Sequence, residues 1–362
     1  MNKRKIGLPE SYEPLLEQEL RKIGYSLGEP GKIARAVQKL SDFYLANPEG
    51  QTPWREAFAQ AASLAYYFPL NYARNRSVAD EAARLGFYEG LDSLFDIGCG
   101  TGSGILAFMD RAKQSGRKFQ HALAQDLSDD AVRLCEALAH GAEHALKSRH
   151  LSVEETRELP SKQTLVIASY VYTELAQAPD WWRHAEALAI IEPSTQSDAR
   201  RLQAFRKDLL AWGFSLWAPC THEGDCPLLL HSQKDWCHDR IHWAAPQWFM
   251  QIEKQLPMKN RTLTFSYILA RRSRRPQESL NRFARLIGDT LEEKGKNRQA
   301  VCRNSDREFF AWFPQRFPKG SRAIELERGN LVQFSGEEKR GSEIRLPSAE
   351  AIEELPPSAP VP

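Results

Sequence analysis

The chain has 362 residues, a formal net charge of +2 and six cysteines. This length allows one large domain with additions, or two domains. The near-neutral charge excludes a globally polycationic protein, so contact with RNA would require local basic patches such as residues 271–275. No apolar run is long enough to span a bilayer, and we therefore expect no membrane partner.

The first residues, Met1 to Lys5, carry basic side chains without an apolar segment behind them. This pattern does not fit a secretory signal, and the acidic residues Glu10, Glu13 and Glu17 do not fit a transit peptide. We therefore expect a cytoplasmic protein with reduced thiols. In that setting cysteines are more often metal ligands or catalytic groups than disulfides.

Residues 1–88 are expected to form a helical N-terminal cap, because apolar side chains recur at three- and four-residue spacing over residues 54–85. Pro69 is expected to break or kink the helix that contains it. The aromatic side chains and Arg74 around this proline suit the mouth of a cofactor site or contact with RNA. Packing of the cap on the core is nevertheless the favoured interpretation.

The most informative stretch is the run 94–104, in which an apolar strand ends in Asp96 and glycines follow at Gly98, Gly100 and Gly102. Glycine lets the backbone turn tightly and approach a ligand that a Cβ atom would block. Amide groups at the start of the next helix would then face the ligand, and Asp96 would take its amine end. The pattern is typical of S-adenosylmethionine (SAM) binding by class I methyltransferases. The rival dinucleotide fingerprint, G-x-G-x-x-G, fits the spacing less well.

Strand and helix patterns alternate downstream of this run. Strands are predicted at 93–97, 121–125, 164–169, 187–191, 214–218 and 264–270, with helices at 104–113, 129–147 and 198–212. Such alternation predicts a mostly parallel sheet covered on both faces, with ligands bound at the carboxyl ends of the strands. The expected fold is therefore α/β, a Rossmann-like class I SAM-dependent methyltransferase with a seven-stranded sheet over residues 89–275.

Three further side chains are expected at the cofactor site because they follow predicted strands. Asp126 stands where an acid can accept both ribose hydroxyls, and this role is favoured over a purely local one at the start of the next helix. Ser169 and Tyr170 stand where many methyltransferases present their catalytic loop, and we expect them to shape the cofactor pocket. The loop lacks the Asn-Pro-Pro-Tyr set with which many amino-methylating enzymes hold a base amine, so no catalytic residue is assigned.

Four cysteines lie outside this half of the chain: Cys220, Cys226, Cys237 and Cys302. The first three fall in the segment 219–262, which is predicted to be an insertion between the last two strands, and loops of this length are unusual unless functional. Four thiolates suit zinc or an iron–sulfur cluster, and nearby histidines keep a Cys₂His₂ zinc site open. Spacing alone favours zinc, although C-x5-C-x10-C is not a standard zinc-finger spacing.

The remaining residues predict a small appended unit. Residues 276–337 are expected to form a C-terminal module that contains strands, with a helix at 280–293 and short strands at 308–313 and 323–334. Charge and proline dominate after residue 337, so residues 338–362 are expected to be a disordered tail.

Taken together, these segments resemble a known family, the methyltransferase-like protein of the mitochondrial small ribosomal subunit with its bacterial relatives. The resemblance covers residues 50–335, and its matching stretches are Asp96-Ile-Gly-Cys-Gly-Thr-Gly, Ser169-Tyr-Val-Tyr-Thr-Glu-Leu, Ile191-Glu-Pro-Ser-Thr, Ala218-Pro-Cys-Thr-His-Glu-Gly-Asp-Cys-Pro-Leu, Asp235-Trp-Cys-His and Ser266-Tyr-Ile-Leu-Ala-Arg-Arg. Two positions depart from the family's pattern. Ser194 stands where the family usually has glycine, and Asp239 begins Asp-Arg-Ile-His where the family has Phe-Ser-Gln-Arg.

The resemblance implies a [4Fe–4S] cluster held by Cys220, Cys226, Cys237 and Cys302, which replaces zinc as the expected group and leaves zinc as the alternative. It also implies SAM binding and action on the small ribosomal subunit or its rRNA. Two classes of function remain open. One is an enzyme that methylates rRNA or a ribosomal protein, and the other is a catalytically inactive assembly factor that uses SAM and the cluster structurally. We expect a monomer.

Overall fold

The computed structural model describes residues 3–48, 50–275 and 282–355. The N-terminal region is mainly helical, and its elements are β1 (Lys5–Gly7), α1 (Tyr12–Lys22), α2 (Pro30–Ala46), α3 (Ala57–Ala62), a π-helical turn (Ser63–Tyr67) and α4 (Phe68–Arg84). Tyr12, Leu16 and Leu20 recur every four residues on α1 and are all buried. One face of this helix therefore packs on the core, as the apolar spacing requires.

Pro69 is the second residue of α4 and follows the π-helical turn directly. Proline has no backbone N–H, and its ring crowds the carbonyl four residues earlier, so a regular α-helix cannot pass through it undisturbed. The wider π turn accommodates this defect. The expected local break is present, but the helical path continues to Arg84.

The centre of the chain alternates strands and helices. The strands are β2 (Ser93–Ile97), β3 (His121–Asp126), β4 (Lys147–His150), β5 (Thr164–Ser169), β6 (Ala187–Glu192), β7 (Ser215–Ala218), β8 (Asp239–Ala244) and β9 (Thr262–Arg271). The helices are α5 (Ser103–Gln114), α6 (Asp129–Gly141), α7 (Gln196–Ala211), α8 (Pro227–His231) and α9 (Gln247–Lys254). The bounds of β2 and β5 agree with the sequence prediction, because both are buried apolar runs between turns.

Among the described residues, nine strands form one sheet in the order β1-β8-β9-β6-β5-β2-β3-β4, and β7 also pairs with β9. The five strands from β4 to β6 along this order are parallel, and β9 is antiparallel to β6. This order and the single antiparallel strand beside β6 are those of class I SAM-dependent methyltransferases, so the predicted fold class is confirmed. The sheet has nine strands instead of seven because β1 and β8 extend it.

The segment 219–262 is not the plain loop that the sequence predicts. It contains α8, β8 and α9, and Asp239 of β8 pairs with Phe265 of β9. Residues of β8 alternate between buried and partly exposed, which is the pattern of a strand with one face on a core. Only residues 219–238, which carry three of the cysteines, therefore connect the sheet strands β7 and β8.

The C-terminal residues form a second sheet, which has eight strands among the described residues. They are β10 (Phe283–Leu286), β11 (Leu291–Glu293), β12 (Lys296–Cys302), β13 (Glu308–Trp312), β14 (Leu331–Phe334), β15 (Glu338–Arg340), β16 (Glu343–Arg345) and β17 (Ile352–Glu354). The helix predicted at 280–293 is therefore wrong from residue 283 onward. The tail predicted to be disordered forms strands up to residue 354, because Ile344, Leu346 and Ile352 join the core of this sheet. Residues 356–362 lie outside the described part.

The helices cover the central sheet, and the most extensive helix pairing is that of α4 with α5. No helix within the described ranges is both long and apolar enough to cross a membrane.

Candidate functional site

The glycine turn lies at the carboxyl end of β2, between this strand and α5. Gly98, Gly100 and Gly102 all have positive φ, at 59°, 51° and 85°. A Cβ atom on Gly98 would lie 2.6 Å from Cγ2 of Val171, and one on Gly102 would lie 2.7 Å from Sγ of Cys135. Glycine is therefore required at both positions, by the backbone conformation and by the close approach of neighbours.

Asp96 is buried beneath this turn, with a side chain 1% exposed. Its Oδ2 accepts a hydrogen bond from the backbone N–H of Ile105, 2.8 Å away, in the first turn of α5. Its Oδ1 is buried and has no hydrogen-bond partner among the described residues. Burial raises the pKa of Asp96 to about 7, and the nearby charge of Asp126 adds to the shift. An unpaired buried acceptor is costly, so this oxygen is a natural position for a ligand N–H or O–H group.

Asp126 has a structural task that the sequence did not show. Its Oδ2 accepts the backbone N–H of Gly100 at 2.9 Å, and its Oδ1 accepts that of Ser128 at 3.0 Å. Ser128 in turn caps α6 by accepting the N–H of Ala131. Asp126 thus holds the glycine turn in place. A carboxylate oxygen has a second lone pair, so both oxygens can still accept a ligand hydroxyl.

The loop after β5 closes the site from the other side. Tyr170 has a φ of 63°, which is unusual for a residue with a side chain, and its N–H donates to the carbonyl of Ile191 at 2.7 Å. Val171 is the residue that approaches Gly98. Ser169 accepts a hydrogen bond from Asn75 of α4 at 3.0 Å. The structure therefore places the predicted residues Ser169 and Tyr170 beside the predicted glycine turn.

Glu192, Glu174 and Trp54 also belong to this region, and the sequence interpretation did not select Glu192 or Trp54. Glu192, at the end of β6, is fully buried and accepts the N–H groups of Tyr172 and Thr173 at 2.8 and 3.3 Å, and burial raises its pKa to about 8. Burial, with the charge of Asp126, also raises the pKa of Glu174. Trp54 of the N-terminal region lies over Gly100, within 4 Å of where a Cβ atom would stand. The sequence feature that could have identified Glu192 was its position at the end of a predicted strand.

Two arginines of the basic run at 271–275 are buried, whereas Arg272 and Arg274 are exposed. Arg271 pairs with Glu186 at 3.1 Å and donates to the carbonyl of Phe87, and it is buried. Arg275 is also buried, and it donates to the carbonyl of Trp217. These guanidinium groups hold β9 and the residues that follow it against neighbouring elements, because a buried arginine must satisfy its donors within the protein.

The four predicted cysteine ligands line one cavity between α7, the 219–238 segment and the second sheet. Cys220, Cys226 and Cys237 come from the segment, and Cys302 ends β12. All four are free thiols. The hydroxyl of Thr221 donates to the carbonyl of Cys302 at 2.9 Å, which fixes the segment on the second sheet.

Burial disfavours thiolates in this cavity, whereas the positive charge of Arg206 favours them. Burial, followed by the charges of neighbouring cysteines, raises the pKa of the Cys237 and Cys302 thiols. Arg206 of α7 also lines the cavity and is anchored by the carbonyls of His222 and Gly224, at 3.1 and 2.9 Å. Among the described residues, no three His, Cys, Asp or Glu side chains converge so as to hold a single metal ion. The thiols line a shared space and do not meet at one point.

Residues 57–310 match the sequence profile of one protein family, described as mitochondrial small ribosomal subunit Rsm22. A comparison with curated protein sequences found no match.

Several solved structures are similar to parts of the chain. A proposed class I SAM-dependent methyltransferase from Listeria monocytogenes is 12% identical, with a TM-score of 0.39 over 73% of this chain and 88% of its own. A proposed RNA methyltransferase from Pyrococcus horikoshii is 12% identical, with a TM-score of 0.34 over 55% and 85%. Magnesium protoporphyrin IX methyltransferase from Synechocystis is 18% identical, with a TM-score of 0.32 over 50% and 87%.

Proposed function

The chain belongs to the Rsm22 family, and on that premise we propose that it is a SAM-binding, methyltransferase-like protein that acts on the small ribosomal subunit. The observation that carries the SAM assignment is the buried, unpartnered Oδ1 of Asp96 beneath a turn that only glycine can form. Ligands of α/β sheets bind at this edge, outside the carboxyl ends of the strands. The residues present therefore fit SAM.

In this proposal Asp96 accepts the amino group of SAM and Asp126 accepts the ribose hydroxyls. The glycine turn brings the backbone close to the ligand, and Trp54 closes the site from the N-terminal region. Isothermal titration calorimetry of the purified protein with SAM tests the assignment, with Asp126→Asn as a comparison. An intact, folded protein that shows no heat of SAM binding would contradict it.

When bound, SAM supplies an activated methyl group on a sulfonium leaving group, so positioning of the acceptor provides most of the rate. The chain's own residues then have to orient that acceptor and exclude water. We propose that the acceptor belongs to rRNA of the small subunit. Comparison of rRNA methylation by mass spectrometry, between cells with the wild-type protein and cells with a SAM-binding variant, tests this. A missing methyl group in the variant supports catalysis.

One observation favours the second candidate, an assembly factor without catalysis. The loop after β5 has no Asn-Pro-Pro-Tyr set. Glu192 uses both carboxylate oxygens to hold the N–H groups of Tyr172 and Thr173. It is therefore a positioning residue for the loop and not a free base. Unchanged rRNA methylation, together with loss of mature small subunits in the variant strain, would decide for this candidate.

We also propose that the cavity lined by Cys220, Cys226, Cys237 and Cys302 holds a [4Fe–4S] cluster, with zinc as the alternative. Support comes from the position of all four thiols along one cavity, although Cys302 is 65 positions or more from the others in the chain. A cluster spreads its ligands around a larger body than one zinc ion, whose tetrahedral ligands lie about 2.3 Å from the metal. The group would join the second sheet to the central one.

Anaerobic purification followed by absorption spectroscopy and metal analysis tests the cluster. The wild-type protein and the control Cys135→Ala, whose thiol lies away from the cavity on α6, should both contain iron and sulfide. Cys302→Ser should lose them. A colourless anaerobic protein with about one zinc ion per chain would decide for the alternative.

A further inference from the structure

One surface outside the candidate SAM site carries both positive charge and exposed apolar side chains. It comprises Met250 and Lys254 on α9, and Met258, Lys259 and Arg261 between α9 and β9. We call it the α9–β9 surface. All five side chains are exposed, and Met250 and Met258 keep 46% and 40% of their area in contact with solvent. Met250 and Lys254 are four residues apart and therefore share one face of the helix.

The charge of this surface is uncompensated. Glu253 is the one acidic residue between positions 245 and 261, and it is buried, where it accepts the backbone N–H and side-chain amide of Asn260 at 2.8 and 2.6 Å. Lys254 donates to the side-chain carbonyl of Gln251, and Lys259 to backbone carbonyls at the end of α9. Within the described residues, Arg261 makes no hydrogen bond or ion pair through its guanidinium. All three cations are thus available to an anionic partner.

Contacts connect this surface to the edge of the candidate SAM site. Asn260 donates to the hydroxyl of Tyr66 at 2.9 Å, and Tyr66 stacks on Phe249 of α9 with ring centres 5.3 Å apart. Arg74 of α4 donates to the carbonyl of Thr264 in β9 at 3.3 Å, and its charge acts on Tyr170 in the loop beside the glycine turn. Because β9 is antiparallel to β6, its first residues lie at the carboxyl edge of the parallel strands, as the glycine turn does.

We propose that the α9–β9 surface binds RNA with unpaired bases and leads it to the edge of the SAM site. Lysine and arginine supply the phosphate contacts that dominate the affinity of such complexes. Met250 and Met258 offer apolar, polarisable area to bases whose faces are not stacked in a duplex. An acidic protein with apolar side chains would match the same features, so binding of an acidic ribosomal protein is the alternative that the test separates. The proposal rests on the proposed function for the source of the RNA, which is the small subunit.

The test is fluorescence anisotropy of the full chain with a labelled single-stranded RNA of mixed sequence and with its duplex, over a range of salt concentrations. The test variant is Lys254→Gln with Arg261→Gln. The matched control is Lys118→Gln with Lys162→Gln, which removes the same charge from exposed positions before β3 and β5, at the opposite edge of the sheet. For single strands, the slope of log K against log salt should become shallower by about 0.7 for each phosphate that the test variant no longer neutralises.

We expect the test variant to bind the single strand more weakly and with the shallower slope, and the control to bind like the wild type. Met250→Ala with Met258→Ala should weaken single-strand binding without changing the slope. Wild-type affinity in the test variant, equal weakening in the control, or a preference for the duplex would overturn the proposal. So would loss of binding to an acidic ribosomal protein with RNA binding intact.

SAM calorimetry on the same samples separates this proposal from the proposed function. RNA binding through the α9–β9 surface without SAM binding would support the surface and contradict the function. The opposite result is a protein that binds SAM and co-sediments with the small subunit, while the test variant binds RNA like the wild type. It would support the proposed function and contradict the role of the α9–β9 surface. Because neither Lys254 nor Arg261 belongs to the candidate SAM site, unchanged SAM affinity also shows that the test variant is folded.

Discussion

Asp96 combines burial with an unsatisfied oxygen, and this combination makes stability depend on pH. Its pKa in the folded protein is about 7, above the ordinary 3.8, so the folded state holds the proton more tightly than the unfolded chain. Protonated Asp96 therefore stabilises the folded protein fully below pH 3.8, and this stabilisation is lost as pH rises through about 7. Urea denaturation of the SAM-free protein at about pH 5 and about pH 8 should show this loss for the wild type relative to Asp96→Asn. A wild type and variant whose difference does not change with pH would contradict the assignment.

Asp126 has two roles in the structure, and two substitutions separate them. Asp126→Ala removes the acceptor for the N–H of Gly100 as well as the expected ribose contact, so it should weaken SAM binding by about 1.5–3 kcal/mol. Asp126→Asn keeps one acceptor oxygen, for the N–H of either Gly100 or Ser128, and removes the charge, so it should weaken SAM binding less than Asp126→Ala does. Calorimetry with both variants measures the two losses. Equal losses would show that the turn contact contributes nothing.

The sequence identified Asp96 and Asp126 as site residues because each stands at the carboxyl end of a strand. It could not show that Asp126 also holds the backbone of Gly100, since that contact depends on the path of the turn between two strands. Glu192 was missed because its burial comes from the loop after β5, which folds back onto β6. Residue types and strand ends were predictable, whereas hydrogen-bond partners were not.

The glycine turn is the element on which the candidate SAM site depends. Gly102→Ala should destabilise the protein and abolish SAM binding, because its Cβ atom would lie 2.7 Å from Sγ of Cys135 in addition to the strain of a positive φ. Gly116→Ala is the matched control, since Gly116 also has a positive φ, of 68°, but nothing lies within 4 Å of its Cβ position. Gly116→Ala should lower the free energy of unfolding only by the backbone strain, about 1–2 kcal/mol. Thermal unfolding and calorimetry on both variants check the expectation, and equal effects on SAM binding would contradict it.

Elements with strong internal patterns were predictable, and elements held by distant partners were not. The strands β2 and β5 are buried on both faces, and their apolar runs were sufficient to predict them. In contrast, β1 has three residues and exists because it pairs with β8, at Lys5 and His242. The run 280–293 has helix-forming residues, but from Phe283 the described part pairs with β14, so tertiary contacts override local propensity.

At the scale of the whole molecule, a buried ion pair joins the N-terminal region to the second sheet. Arg285 of β10 donates to Glu81 of α4 at 2.5 Å, and both side chains are less than 10% exposed. The same guanidinium donates to the carbonyls of Pro219, next to Cys220, and of Gly329. One side chain thus holds three parts of the chain together. The two charged partners are 204 positions apart, so no local pattern could have predicted the contact.

Arg285→Met should destabilise the protein by about 3–5 kcal/mol, because it leaves the Glu81 carboxylate buried without this partner. Burial alone would raise the pKa of Glu81, but the charges of Arg285 and Arg84 hold it well below its ordinary value, so the carboxylate remains ionised in the folded protein. Urea denaturation measures the loss.

The matched control is Arg340→Met, which removes an arginine from the exposed pair with Glu338 and should leave the midpoint unchanged. In a double-mutant cycle, the double variant Glu81→Gln with Arg285→Met should lose less unfolding free energy than the two single variants lose together. In the double variant both charges are absent, so neither remains buried without its partner. Additive losses would show that Arg285 acts through its carbonyl contacts alone.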